Sequence, residues 1–280
     1  MATSSIVFDG WEFIGTSPGG GRWSVKRFDD WVTRSERRDR TPRAGAGGDW
    51  PAMGAEEGPM YTFSGLAVYA DPVQAARERL TVKALGGHEL SELTVTDAAG
   101  PLTAYVEVDR IAVVPVTDTM LAFTITVHAP DPLLYGPATY DSTGLAGVSG
   151  TGRVWPRVWP RDWGVPAGQT PGSVALRNDG TATYWPTLRI NGPVTNPVVT
   201  VNETGDWVRI NRTISAGQWL DIDCGERSVL LNGQVSLAGD VSYSGSWLGI
   251  PKGGASMSWA ADSADAAALL GINGFEGAYS

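Results

Sequence analysis

The clearest pattern in the chain lies at residues 120–129, where Leu121, Phe123, Ile125 and Val127 take one phase and Ala122, Thr124, Thr126 and His128 the other. A period of two predicts a half-buried β-strand. The preceding stretch, 92–116, alternates well enough for two or three further strands joined at Ala98-Ala99-Gly100. Short apolar pieces at 6–8, 11–14 and 23–25 read as short strands, with a turn at Pro18-Gly19-Gly20-Gly21. One segment departs from this rhythm. In DPVQAARERL (71–80), Asp71 is placed to cap, Pro72 takes the first helical position, and Val73, Ala76 and Leu80 share a face. This predicts a helix of about two to three turns lying against a sheet.

A second rhythm begins beyond residue 170: SVALRN (173–178), TLRING (187–192), PVVTVNETGDWVRIN (197–211), QWLDIDCGERSVLLNG (218–233), SWLGI (246–250) and ASMSWAA (255–261). Strands at intervals of roughly 8–12 residues, separated by Asn-Gly, Thr-Gly and Ala-Gly turns, predict an antiparallel β-sandwich. Between the two rhythms, APDPLLYGP (129–137) gives way to a polar, glycine-rich stretch, which places a boundary near 132–150. The expected organisation is all-β with one short helix: an N-terminal β domain over 1–134, a Pro/Trp/Gly-rich connector over 135–165 and a sandwich over 166–280.

Composition narrows the function classes. With 42% hydrophobic and 18% charged residues, the 280-residue chain has enough apolar material to fold. Its formal net charge of -9 repels nucleic-acid phosphates and anionic membranes, which argues against a DNA-binding role. Cys224 is the one cysteine, so no intrachain disulfide or thiolate cluster forms, and its natural place is a strand interior. The opening MATSSIVFDGWEFIG has no basic start followed by a long apolar run, and no segment reaches the roughly 20 apolar residues of a membrane span. The expectation is a soluble protein made in the cytoplasm.

Candidate chemistry is sparse. Two histidines, His88 and His128, have no recognisable nucleophile setting around them. Asp221 and Asp223 are two apart on one predicted strand and share a face, as the paired carboxylates of a glycosidase require. Ile222 and Cys224 take the core phase, however, which turns both aspartates toward solvent. No catalytic residue, metal ligand or cofactor site is therefore assigned. Two segments stand out as contact surfaces instead. RSERRDRTPRAGAGGDW (34–50) reads as a long exposed loop whose Arg34, Arg37, Arg38, Arg40 and Arg43 are suited to an acidic surface on an adjacent subunit or partner. In VWPRVWPRDW (154–163), Pro156 and Pro160 remove backbone donors and hold the preceding residues extended. Trp155, Trp159 and Trp163, with those prolines, are expected to anchor a stiff inter-domain connector rather than to form a sugar platform.

Four stretches taken in order resemble a known family: FTITVHAPDPLLYG (123–136), VWPRVWPRDWG (154–164), VALRNDGTATYWPTLRINGPVTNPVVTVNETGDWVRI (174–210) and DIDCGERSVLLNG (221–233). Each is common alone; their order and spacing are similar to the distal tail proteins of long-tailed bacteriophages, Dit-like siphovirus tail-tip or baseplate components of the actinobacteriophage type. The resemblance covers roughly 120–280, and the first 120 residues agree mainly in layout. The Arg-rich loop is longer and more basic than the pattern, and LLGINGFEGAYS at the C-terminus lacks an aromatic-rich last strand.

The resemblance implies a tail-tube-like N-terminal domain that builds a homo-hexameric ring, and a galectin-like C-terminal sandwich displayed outside it. It further implies a structural adaptor at the distal end of the virion tail, not an enzyme. The implied partners are the tail tube protein, the tail-tip hub or tail-associated protein, and receptor-binding or other minor tail proteins, with no membrane and no cofactor. DNA would pass the lumen without specific binding. The competing expectation is a carbohydrate-binding adhesin of the tail that uses the sandwich tryptophans.

Overall fold

The computed structural model describes residues 5–29, 31–32, 35–37, 41–43, 47, 49–50, 54–87, 90–144, 172–265 and 267–280. The chain divides into two units, residues 1–136 and 137–279, and both are built almost wholly from β-strands.

In the first unit the strands are β1 (Ser5–Phe8), β2 (Trp11–Glu12), β3 (Gly15–Thr16), β4 (Arg22–Asp29), β5 (Ser35–Arg37), β6 (Thr41–Pro42), β7 (Asp49–Trp50), β8 (Ala55–Glu57) and β9 (Met60–Val68). They are followed by α1 (Pro72–Lys83), β10 (Ser91–Asp97), β11 (Gly100–Thr117) and β12 (Met120–His128). The main sheet runs β2-β1-β10-β11-β12-β9-β4-β3. β11 is long enough to serve two partners: its residues 100–106 pair with β10 and its residues 107–117 with β12. The alternation at 120–129 produces β12, whose Leu121, Phe123, Ile125 and Val127 are buried. Its neighbours supply Tyr61, Phe63 and Ala67 from β9 and Trp23 from β4 to the same inner face. Phe13, Trp23, Phe63 and Phe123 meet there with centroids 5.0–6.5 Å apart, in tilted and edge-on pairs suited to aromatic quadrupoles. Gly65 lets β4 approach, since a Cβ there would stand 2.0 Å from the Ser24 carbonyl oxygen.

The helix forms where its cap predicts: Val73 N donates to Asp71 Oδ1 at 3.0 Å and Pro72 opens the first turn. Its buried face differs from the expected one. Ala75, Glu78 and Val82 point inward, whereas Val73 and Leu80 are 54% and 69% exposed. A hydrophobicity reading misses this because the inward stripe contains a carboxylate. The Arg-rich loop also differs from a plain loop, for β5 pairs with β8 and β6 with β7 as short antiparallel ladders.

The first unit ends in β13 (Leu134–Tyr135), and the strands of the second are β14 (Ala138–Gly144), β15 (Ser173–Leu176), β16 (Thr187–Asn191), β17 (Val194–Thr195), β18 (Val198–Val201) and β19 (Trp207–Ile210). After these come β20 (Thr213–Ile214), β21 (Trp219–Asp223), β22 (Ser228–Leu231), β23 (Val235–Ser236), β24 (Val241–Tyr243), β25 (Ala255–Ala260), β26 (Ser263–Ala264) and β27 (Leu269–Phe275). A six-stranded sheet, β14-β27-β16-β21-β22-β23, and a five-stranded sheet, β15-β25-β18-β19-β24, form the sandwich. Leu188, Ile190, Leu220, Ile222, Leu270 and Ile272 fill its core from one side and Val199, Val201, Val208, Ile210 and Met257 from the other.

Residues 138–144, inside the expected connector, are a strand of this sandwich paired with β27 over seven positions. Their Thr, Ser and Gly content carries little apolar signal, so the sequence alone reads as linker. The C-terminal LLGINGF likewise forms an inner strand, between β14 and β16. Its Gly271 and Gly274 leave room for Tyr140 and Tyr184, whose hydroxyls lie 2.9 Å from where a Cβ would stand.

Candidate functional site

The sheet formed by β4, β9, β12 and the second half of β11 has one face packed into the aromatic core and one free. Along its two middle strands the free face carries Thr62, Ser64 and Leu66 from β9 beside Ala122, Thr124 and Thr126 from β12. Thr62 and Thr126 share a hydrogen bond at 3.3 Å between their hydroxyls. The outer strands place Arg22 and Arg27 on one side and Arg110, Ala112 and Val114 on the other. The middle of this face is thus short hydroxyls and methyls, and its arginines stand on the flanking strands.

Both edges of this sheet are open over much of their length. β3 covers only Arg22 and Trp23 of β4, and among the described residues no strand pairs with the outer side of residues 24–29. At the opposite edge, β10 leaves β11 at Val106, so no described strand pairs with the outer side of 107–117. Unpaired edges of this kind are templates for another chain unless they are covered. Pro115 supplies no N–H here. A groove of about 410 Å³ runs beside this second edge, lined by Arg79, Leu80 and Lys83 of α1 and by Ile111–Val114. Leu80, Val114 and Val116 are all more than half exposed, an apolar strip that a lone subunit leaves in water.

α1 is fastened at one end of the groove by a buried carboxylate. Glu78, 7% exposed, accepts from Ser17 Oγ at 2.7 and 2.9 Å, from Gly19 N at 2.6 Å and from Tyr69 Oη at 2.7 Å. Ser17 Oγ in turn accepts from Gly21 N at 3.0 Å. Burial and the neighbouring Glu78 carboxylate together push the Tyr69 hydroxyl pKa far up, so the phenol stays a donor. Next along the helix, Arg79 Nε donates to the Val113 carbonyl oxygen at 3.0 Å.

The residues singled out from sequence fall unevenly on this geometry. Arg37 ends β5 and Arg43 lies with its guanidinium carbon 4.9 Å from the Trp50 ring centroid, a cation–π contact. Arg34, Arg38, Arg40, His88 and the whole of 154–163, with Trp155, Pro156, Trp159, Pro160 and Trp163, lie outside the described residues. Asp221 and Asp223 sit on the outer face of the six-stranded sheet, where a shallow cleft of about 520 Å³ also holds Tyr140, Arg189 and Asn273. Asp221 is already engaged, accepting from Arg189 Nε at 2.7 Å and from Trp219 Nε1 at 2.9 Å. Cys224 is buried and its thiol pKa is raised, chiefly by burial and secondarily by Asp223. Among the described residues no cluster of His, Cys, Asp or Glu has the makings of a metal site. The open edges and the exposed Leu80 were not foreseen, because strand order and helix rotation are set by contacts far apart in sequence.

Residues 179–269 match the family model described as the siphovirus-type tail component, C-terminal domain, of the SPP1 Dit kind. The chain also superposes along its full length on the crystal structure of the SPP1 Dit protein (gp 19.1), with a TM-score of 0.59 at 11% identity and 100% of both chains covered. The chain has the fold of SPP1 Dit, and its residues 179–269 carry the tail-component domain. Two structures of the phage P2 baseplate in its activated conformation agree with this Dit-like fold. With Ca the TM-score is 0.54 at 11% identity over 99% of this chain and 100% of the other; with Sr it is 0.51 at 11% over 98% and 99%. No curated relative matches at a significant level. The matched family is one of siphovirus-type tail components.

Proposed function

We propose that copies of this Dit-like chain close into a six-membered ring at the distal end of the phage tail, joining the tail tube to the tail-tip hub and receptor-binding apparatus without enzymatic activity. The observation that carries this reading is the pair of open edges on opposite sides of one sheet, β4 at 24–29 and β11 at 107–117. Two different surfaces on opposite sides make a head-to-tail contact, and such contacts generate closed rings when the rotation per copy fits. The edges are then covered, as an exposed edge demands, and the strip of Leu80, Val114 and Val116 leaves water at the same contact.

In that arrangement the free sheet face lines the channel. The uncharged middle strands offer a phosphate backbone little to hold, which suits passage of DNA better than binding. The negative net charge alone points to an acidic channel; the face itself is neutral along β9 and β12, with arginines on the outer strands. The arginines of the 34–43 segment remain candidates for contact with a neighbouring subunit or tail protein, and the Trp/Pro repeat for an inter-domain anchor. The adhesin alternative is not favoured by a match to a tail-component family.

Light scattering of the purified protein, alone and with tail tube rings, followed by negative-stain imaging, tests the proposal. Six-fold rings with a central hole are the expected result. A protein that stays monomeric in both conditions overturns it.

A further inference from the structure

A four-stranded sheet is too soft to specify by itself how many copies close a ring. Six copies subtend about 60° each and seven about 51°, so the two differ by about 3° for each of three strand pairs, small against the roughly 10–35° range over which neighbouring strands twist. A unique ring size needs a second element that holds the two edges at a fixed angle. In this unit one helix reaches both. Glu78 grips the turn at 17–21 that leads from β3 into β4, through the bonds from Ser17 and Gly19. The adjacent Arg79 bonds the carbonyl of Val113 on the opposite edge strand, β11. Tyr69, directly after β9, adds a third donor to the same carboxylate from the middle of the sheet.

The turn is built for this grip. A Cβ on Gly19 would stand 2.1 Å from Glu78 Oε1, and one on Gly21 would stand 2.2 Å from the Tyr69 ring, so glycines let the backbone close on the carboxylate. Burying a carboxylate is costly unless donors surround it. Here Ser17, Gly19 and Tyr69 surround it on three sides, and the geometry is correspondingly fixed.

We infer that α1 is a strut across the sheet, pinned by Glu78 at the β4 side and Arg79 at the β11 side, which sets the curvature of the sheet and thereby the number of copies in the ring. Glu78 and Arg79 are positioning residues in this account, and the inference rests on the reading that β4 and β11 edges meet between copies.

Native mass spectrometry of E78Q, R79M and Y69F, with circular dichroism and thermal melts of each, tests it. The wild type is expected to give one ring mass. R79M and E78Q are expected to keep the wild-type dichroism while the single mass is lost to several ring sizes or open arcs, and Y69F, which removes one donor and keeps the ring's bulk, to do so to a smaller degree. Folded variants that all retain one unchanged ring mass overturn the strut. If E78Q unfolds, R79M and Y69F carry the same decision. A wild type that forms no ring with or without tail tube rings removes the edge-to-edge reading itself and the strut with it, an outcome distinct from rings of unchanged size.

Discussion

Two sheets in this molecule have one buried and one free face, and they use the free side differently. On the six-stranded sheet of the second unit, the polar face is satisfied within the chain: Arg189, Asp221 and Trp219 bond one another, and Arg189 also lies over the Trp219 ring at 5.6 Å. The sheet of the first unit carries hydroxyls and methyls along the middle of its free face with arginines flanking them, edges that no described strand covers over residues 24–29 and 107–117, and an apolar strip beside one of them. Both sheets obey the same alternation of buried and exposed positions. The difference lies in the free faces and in the exposed apolar strip beside β11, and it sets the first unit apart as the candidate surface for assembly.

The largest effect that separates the units is expected from Trp23→Ala. Trp23 meets Phe13 and Phe123 at 5.4 and 5.0 Å in the core of the first unit, so truncation should cost about 3–5 kcal/mol. Denaturant unfolding followed by tryptophan fluorescence should show one transition moved and the other in place; a shift of both would join the units into one cooperative block. Next comes Asn178→Ala, which acts on the second unit. Asn178 donates to the carbonyls of Ala182 and Ile250 at 2.8 and 2.9 Å and accepts from Gly180 N and Ala278 N at 3.1 and 3.2 Å. Leaving those buried groups without partners should cost about 1–3 kcal/mol, seen as a lower midpoint for the second unit with assembly unchanged.

Alkaline titration reaches both units. Burial, with Asp131 nearby, pushes Tyr61 of the first unit up to about 12. Burial, with Asp141 as a smaller cause acting against a backbone hydrogen bond, brings Tyr184 of the second to about 12 as well. A phenol with a raised folded pKa ionises first in the unfolded chain, so its contribution is fully present below the unfolded pKa of about 10 and is lost as pH rises from there toward 12. Absorbance at 295 nm with parallel dichroism should show both units weakening in that window. The smallest effect is expected from Arg189→Ala. An exposed pair contributes about 0–1 kcal/mol, and thermal melts and ring formation should both stay near wild type; a loss of assembly would move the candidate contact to the second unit.

Much of this was legible in the sequence where the signal is local. The strand at 120–128 follows from strict alternation, and the start of α1 from Asp71 and Pro72. The rotation of α1 was not legible, because spacing selects Val73, Ala76 and Leu80 as the inner face while the fold buries Glu78 among donors that arrive from Ser17, Gly19 and Tyr69. Nor were the open edges, since one depends on β11 changing partners midway along its length and the other on β3 pairing only with the start of β4. Of the candidate contact residues, Arg37 ends β5 and Arg43 directly follows β6 against the Trp50 ring, and the Trp/Pro repeat is outside the described residues. Order and turn chemistry in the C-terminal half carried the family resemblance, which the match over 179–269 and the full-length superposition on SPP1 Dit support.

Cross-linking of the two edges tests the central claim most directly. Lys26 on β4 and Val114 on β11 are exposed, and the native Cys224 is buried, so a Lys26→Cys/Val114→Cys variant presents two accessible thiols at opposite edges. Treated with a short bismaleimide and run on denaturing gels, it should give a ladder of covalent species ending at six, while each single variant stays within dimers. A double variant that yields only monomers would contradict the account.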